Sequence, residues 1–145
     1  MIKIICFGKI KESYLTELVQ DYSNRIGKYH KLEIIELKDE NDLKKEASNA
    51  LKYIKDQDYI IALDRLGKEM PSIDFANKLD QIFLQNGTIT FLIGSSEGLD
   101  QELLEKANLV LSFSSMTYPH GLFRGILLEQ IYRAFKIMNH ETYHK

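Results

Sequence analysis

Short apolar runs alternate along this chain with longer segments of helical periodicity. The runs are IKIICFG, LEIIEL, DYIIALD, TITFLIG and NLVLSF, and a helical segment follows each of them. Runs of this length are typical of buried strands, and regular strand–helix alternation is typical of a parallel sheet. The pattern predicts a single α/β domain over residues 1–145, with a mostly parallel sheet of five to six strands and helices on both faces.

Each helical segment carries apolar side chains three or four residues apart. One such face per helix predicts that the helices pack on the sheet. Gly27 is predicted to be the C-cap of the first helix, and the last helix is predicted to begin at about Gly121. The predicted faces are, in chain order, Tyr14, Leu18, Tyr22 and Ile26; Leu43, Ala47, Leu51 and Ile54; Ile73, Ala76, Leu79 and Phe83; and Phe123, Leu127, Ile131, Ala134 and Met138.

Composition limits the classes of function. The formal net charge of -2 at pH 7 argues against a protein that coats nucleic acid by bulk charge, so any RNA contact must be local. Cys6 is the single cysteine and cannot form an internal disulfide, which favours a reducing, cytoplasmic compartment. No apolar run approaches the roughly 18 residues of a membrane span, so no membrane partner is expected.

Common catalytic motifs are absent. The chain has no GxxxxGK[ST] segment, and the turn after the first strand contains only Gly8 instead of a G-x-G-x-x-G cradle, which disfavours nucleotide and dinucleotide sites. Four scattered histidines without H-E-x-x-H or C-x-x-C spacing predict no metal site. Ser114 and His120 have no G-x-S-x-G elbow near them, so a serine hydrolase is disfavoured as well.

Small, hydroxyl and glycine residues concentrate where three of the predicted strands end. These segments read ALDRLGKEM, IGSSEGLD and SFSSMTYPHG. In open α/β sheets, ligands bind outside the carboxyl ends of the strands. The sequence therefore predicts that these three loops form the functional site.

Two C-terminal motifs, FLIGSSEGL and LSFSSMTYPHGLFRGILLEQIYRAF, together with the terminal YHK, carry a family resemblance. The chain resembles the small bacterial SPOUT methyltransferases that methylate N3 of a pseudouridine in 23S ribosomal RNA of the large subunit. The resemblance extends from FGKIKESY through ALD to the last residue. It implies an S-adenosylmethionine-dependent enzyme with a trefoil-knotted fold that works as a homodimer on ribosomal RNA, within the assembled ribosome.

Eight residues in the three loops match the family's cofactor contacts. An adenine ring needs apolar walls and exposed backbone groups, and residues of these types can supply both. Without the resemblance, the same residues are typical of strand ends and turn caps. The cofactor-binding residues that the resemblance implies are Leu63, Gly94, Phe113, Ser114, Ser115, Met116, Thr117 and Tyr118.

The resemblance also extends over the tail, where Tyr143 supplies a ring to stack on a base, His144 an imidazole and Lys145 a cation. His144 is a candidate general base because histidine has an ordinary pKa of about 6.5. Tyr143, His144 and Arg124 are the candidate catalytic residues. The cations that could hold RNA phosphates are Arg124, Arg133, Lys136 and Lys145.

The last helix also carries apolar residues outside its main face, Ile126 and Leu128 among them. These residues predict a second packing surface on the helix, and the other subunit of a homodimer is the obvious candidate to cover it. The tail is predicted to reach the cofactor pocket of that partner.

Two residues depart from the family pattern. Ser95 stands where the family usually has a second glycine, and a backbone angle that only glycine favours would cost roughly 1–2 kcal/mol there if that angle is still required. Gly125 replaces a bulky aliphatic residue and predicts a looser first turn of the last helix. The alternatives are a ribosome-associated dimeric binding module whose cofactor loop Ser95 has ruined, and an unrelated small α/β ligand-binding domain.

Overall fold

The computed structural model describes all residues from Met1 to Lys145. Five parallel strands form one sheet in the order β2-β1-β4-β3-β5, and a helix follows each strand. The α/β class is confirmed, and the number of strands is five. The elements are β1 (Ile2–Phe7), α1 (Ser13–Ile26), β2 (Leu32–Leu37), α2 (Leu43–Leu51), β3 (Tyr59–Glu69), α3 (Ser72–Phe83), β4 (Ile89–Ile93), α4 (Gln101–Lys106), β5 (Leu109–Ser112) and α5 (His120–Met138).

The sheet separates two hydrophobic cores. Every residue of β1 and β4 is buried, and successive side chains point to opposite faces, as Ile4 and Ile5 do. The Ile4 side packs against α1, α3 and α5, whereas the Ile5 side packs against α2 and α4. The predicted covering of both faces is therefore confirmed.

Two helical faces each differ from the prediction at one residue of the first turn. Leu15 is buried in α1 while Tyr14 is 68% exposed, and Phe75 is buried in α3 while Ile73 is 48% exposed. Residue spacing fixes the period of a helix. It does not decide which of two nearby apolar positions faces the sheet, and this is where the predictions are wrong.

Strand β3 runs through a segment that the sequence predicts to be a loop. After an irregularity between Leu63 and Lys68, the strand continues to Glu69 and pairs Lys68 with Leu111 of β5. A Cβ atom at Gly67 would lie 2.7 Å from the carbonyl oxygen of Val110, so only glycine permits this approach. The extension brings the end of β3 directly beside the end of β5.

Helix α5 contributes to the core of its own chain. Leu127, Leu128 and Ile131 are fully buried against the sheet and neighbouring helices. The prediction that Leu128 faces a partner subunit is wrong, because α5 buries a wider face than the spacing of its apolar residues indicates. Ile126 stays half-buried on the outer side. None of the helices has the length and apolar character needed to cross a membrane.

Candidate functional site

Three predicted loops meet at one edge of the sheet. Leu63 on β3 pairs with Ile93 on β4 and with Leu111 on β5. Because these strands are neighbours and parallel, Gly94 and Phe113 leave the same edge. The structure therefore brings together the loops that the sequence predicts to form the site, although Leu63 itself is buried in the core.

A cleft of about 490 Å³ opens beside this edge, between the start of α3 and the outer side of α5. Of the eight predicted cofactor residues, Phe113 and Tyr118 line it, while Ser115, Met116 and Thr117 point to solvent. The prediction missed Ser72 and Gln130, which add a hydroxyl and an amide to the wall. Both are polar helix residues without a motif, so no sequence signal marked them.

Aromatic rings form one wall of the site. The ring of Phe113 lies edge-on to Phe123 at 5.3 Å between centroids, and Tyr118 stacks on Phe123 at 5.9 Å. Phe75 from α3 approaches Phe113 at 6.1 Å. Rings in these arrangements form a stable apolar wall against which a purine can pack.

The turn after β4 is too tight for a side chain. A Cβ atom at Gly94 would lie 2.5 Å from the carbonyl carbon of Gly98, a distance that real Cβ atoms essentially never show. The turn is closed by the N–H of Gly98, which donates to the carbonyl oxygen of Ser95 at 2.9 Å, and Gly98 has a φ of +86°. This turn of bare backbone leaves the same edge of the sheet as the segment that carries the aromatic wall, although Gly94 does not itself line the cleft.

Ser95 is accommodated without backbone strain. Its φ is not positive, so an angle that only glycine favours is not required at this position and the cost does not arise. Its hydroxyl donates to a carboxylate oxygen of Glu46 at 2.9 Å, and Glu46 is only 2% exposed. The other carboxylate oxygen accepts from the N–H of Glu40 at 3.0 Å. Glu46 therefore ties the β4 turn to the loop before α2.

Ser95→Ala is expected to lower the free energy of unfolding by about 1–3 kcal/mol, because a buried carboxylate oxygen loses its partner. Binding of S-adenosylmethionine should weaken with it, since the turn loses its anchor. Urea denaturation and calorimetry measure the two effects. Ser96→Ala, at the exposed neighbouring serine, is the control and should behave as wild type. Equal stability and affinity in both variants would show that the Glu46 contact does not hold the turn.

Arg124 is not a surface cation. It is 1% exposed, and its guanidinium donates to the carboxylate of Glu36 and, at 3.0 Å, to the carbonyl oxygen of Gly8. The prediction that Arg124 meets an RNA phosphate is corrected here, because its donors hold the turn after β1. Its place on the buried side of α5 could be noticed from its spacing to Leu127 and Leu128.

Gly125 is a site of close helix packing. A Cβ atom there would lie 2.4 Å from a methyl carbon of Leu18, so α1 and α5 approach each other because this residue is glycine. The prediction of a looser first turn is therefore wrong, because α1 fills the space that a side chain at Gly125 would occupy.

The C-terminal tail is anchored to its own chain. The Tyr143 hydroxyl donates to Glu129 at 3.1 Å and lies 3.3 Å from the Tyr22 hydroxyl, while its ring packs edge-on against Tyr132 at 4.9 Å. Burial raises the pKa of the Tyr143 phenol, so it stays protonated near neutral pH. The tail residues are thus held in place next to α5.

His144 is exposed, and its Nδ1 lies 3.0 Å from Nη1 of Arg133. Arg133 also donates through Nε to Glu129 at 3.0 Å, which confirms the predicted Glu129–Arg133 pair. Lys136, a predicted phosphate ligand, is paired with Glu141 at 3.1 Å. Of the residues predicted to face the RNA, Arg133 and His144 are therefore the two that the structure brings into contact.

The structure shows neither a cluster of metal-ligating side chains nor an ionised thiol. The structure contains no group of three or more His, Cys, Asp or Glu side chains that could hold an ion. Burial raises the pKa of Cys6 to about 11, and the residue is fully enclosed in β1. Its thiol therefore stays protonated near neutral pH, which disfavours a nucleophilic role.

Comparison with known proteins decides the family. A family profile described as "Predicted SPOUT methyltransferase" matches residues 1–144. The chain belongs to the SPOUT methyltransferase family. It is 49% identical over 157 aligned positions to a protein from Clostridium botulinum (strain Hall) named "Ribosomal RNA large subunit methyltransferase H", with 99% of both chains covered. The predicted enzyme class, an S-adenosylmethionine-dependent methyltransferase, is confirmed by this membership.

Solved structures share the SPOUT fold at low sequence identity. One is a probable methylase family protein from Haemophilus influenzae, with a TM-score of 0.58 and 12% identity over 99% of this chain and 70% of that one. Another is the SpoU methyltransferase AviRb from Streptomyces viridochromogenes, with a TM-score of 0.52 and 10% identity over 98% of this chain and 62% of that one. These likenesses confirm the predicted SPOUT fold.

Proposed function

We propose that this SPOUT protein transfers a methyl group from S-adenosylmethionine to N3 of a pseudouridine in 23S ribosomal RNA. The observation that carries the proposal is full-length identity of 49% with a relative named as a large-subunit ribosomal RNA methyltransferase. The tight glycine turn and the aromatic wall support it, because they provide the backbone and apolar surfaces that the cofactor needs.

The Gly94 turn and the segment from Phe113 to Tyr118 would hold the cofactor. When bound, the cofactor supplies an electrophilic methyl group on a positively charged sulfur. The remaining tasks of the protein are to align the pyrimidine N3 with that group and to exclude water. Phe113, Tyr118 and Phe123 would exclude water, and the anchored tail with Tyr143 and His144 would orient the base.

The proposal includes a homodimer that works on the assembled ribosome in the cytoplasm. Leu66 and Met116 are 78% and 73% exposed near the site, and Ile126 is half-buried at the wall of the cleft. An exposed apolar rim around a half-buried cleft suits a second copy of the chain. In that arrangement the tail of one subunit completes the cleft of the other.

Ile126→Asp is expected to convert the dimer to a monomer, because a charge would be buried in the interface. Leu84→Asp is the matched control: Leu84 is 82% exposed at the end of α3 farthest from the cleft. Light scattering at micromolar concentration should give about twice the chain mass of 16.9 kDa for wild type and control, and the single mass for Ile126→Asp. A monomeric wild type would refute the dimer.

The activity is tested by methyl transfer in vitro. Purified protein is supplied with S-adenosylmethionine labelled on the methyl group and with assembled ribosomes, isolated large subunits or naked 23S rRNA from cells lacking the modification. We expect label in the 23S rRNA of assembled ribosomes and little in naked RNA. No label in any of the three RNAs, from a protein that binds the cofactor, would reject the proposed substrate.

A ribosome-associated binding module without activity is the alternative. Its support was the expectation that Ser95 ruins the cofactor turn, and the unstrained backbone with its Glu46 contact removes that support. Calorimetry with S-adenosylmethionine separates the two, since the module should not bind the cofactor.

A further inference from the structure

The contact between His144 and Arg133 determines which ring nitrogen of His144 carries the proton. A guanidinium has only N–H donors and stays charged, so the Nδ1 atom of His144 at 3.0 Å must accept. In a neutral imidazole, the proton then resides on Nε2. His144 therefore presents an N–H group to its surroundings and has no free lone pair with which to take a proton.

We infer that His144 acts on the substrate pyrimidine as a hydrogen-bond donor through Nε2, and that Arg133 is the positioning residue that fixes this tautomer. The inference rests on the proposed function for its substrate. It replaces the general-base role that the sequence predicts for His144.

Arg133 is itself held rigidly. It donates twice to one carboxylate oxygen of Glu129, and that pairing raises the pKa of its guanidinium. Glu129 also accepts from the hydroxyl of Tyr143 and from the amide of Gln130, each at 3.1 Å. The Arg133 guanidinium beside His144 is therefore always charged, and the hydrogen bonds to Glu129 fix its position.

The same network reaches the cleft. Gln130 lines it and accepts from the hydroxyl of Ser72 at 2.7 Å. Other ionisable groups that face the tail segment are Tyr22 from α1 and the neighbouring Lys145. Through Arg133, Glu129 and Gln130, the network that holds His144 extends to the wall of its own subunit's cleft, on the face where the proposed partner subunit would dock.

A donor suits the chemistry of the pyrimidine. N3–H lies between two carbonyl groups, and when its proton passes to water or hydroxide, negative charge spreads onto their oxygens. An N–H group aimed at one of these oxygens stabilises that charge. When the cofactor is bound, N3 would form a bond to its methyl carbon, the carbon–sulfur bond would break, and the electron pair of that bond would remain on sulfur.

The test compares His144→Gln with His144→Ala in methyl transfer to ribosomes. The glutamine amide can donate from about the place of Nε2 but cannot take up a proton near pH 7. We expect kcat to fall by about 10²-fold in the alanine variant, and the glutamine variant to keep at least about a tenth of wild-type kcat. A glutamine variant as inactive as the alanine variant would overturn the donor role of His144.

The role of Arg133 is tested by a measurement that does not depend on methyl transfer. Nitrogen NMR of the labelled protein should show the proton of the neutral His144 ring almost entirely on Nε2, and Arg133→Met should raise the fraction of rings with the proton on Nδ1. A wild-type ring with the proton on Nδ1, or an unchanged tautomer in Arg133→Met, would overturn the inference. Because this readout needs no RNA, it stays decisive if the proposed substrate is wrong.

Discussion

Gly94→Val is expected to abolish binding of S-adenosylmethionine. A Cβ atom at this position would lie 2.5 Å from the carbonyl carbon and 2.6 Å from the carbonyl oxygen of Gly98. The turn after β4 must open to admit any side chain, and the backbone that should contact the cofactor then moves. Calorimetry should detect no binding of the cofactor to the variant.

Gly87→Val is the matched control for this experiment. No atom lies within 4 Å of a Cβ built at Gly87, and its φ is not positive, so valine should be tolerated there. Both variants are checked for folding by circular dichroism. If folded Gly94→Val binds the cofactor as tightly as the control does, the turn after β4 is not the cofactor cradle.

Deletion of Thr142 to Lys145 is expected to reduce methyl transfer to ribosomes by at least about 10²-fold. The deletion removes the Tyr143 ring and the His144 imidazole, which would orient the base and stabilise its charge. Cofactor affinity and dimerisation should stay nearly unchanged, because neither the Gly94 turn nor the rim at Ile126 includes the tail. Thr142→Ala, at an exposed position, is the control and should keep full activity.

Mixed dimers decide whether the tail acts across the interface. A subunit with Gly94→Val is paired with a subunit that lacks residues 142–145. If each tail serves the partner's cofactor, the intact tail of the first subunit and the intact cradle of the second form one working site. If the truncated enzyme alone methylates ribosomes at the normal rate, the tail has no part in the reaction.

The architecture was readable from the sequence because burial of strands and helices leaves a periodic signal. Strand–helix alternation predicted the parallel sheet and the edge where Gly94 and Phe113 meet. The extension of β3 was hidden, because Arg65 and Gly67 interrupt its apolar pattern. Its pairing depends on the contact of Gly67 with β5, and a contact between distant segments has no local signature.

The site was less predictable, since single side chains depend on tertiary contacts. The spacing of Arg124 to Leu127 and Leu128 places it on the buried side of α5, but only the fold shows that Glu36 and the β1 turn surround it. The consequence of Ser95 likewise depends on Glu46, which lies 49 residues earlier in the chain. Family resemblance could identify the tail, but it could not show that Arg133 fixes the tautomer of His144.

Mass spectrometry of 23S ribosomal RNA from cells deleted for this gene tests the central claim most directly. We expect one pseudouridine to lose its N3 methyl group in the deletion strain. A plasmid copy of the wild-type gene should restore the methyl group, whereas the Gly94→Val copy should not. If the RNA of the deletion strain carries the same methyl groups as that of the parent, the protein is not the methyltransferase for that nucleotide and the account is wrong.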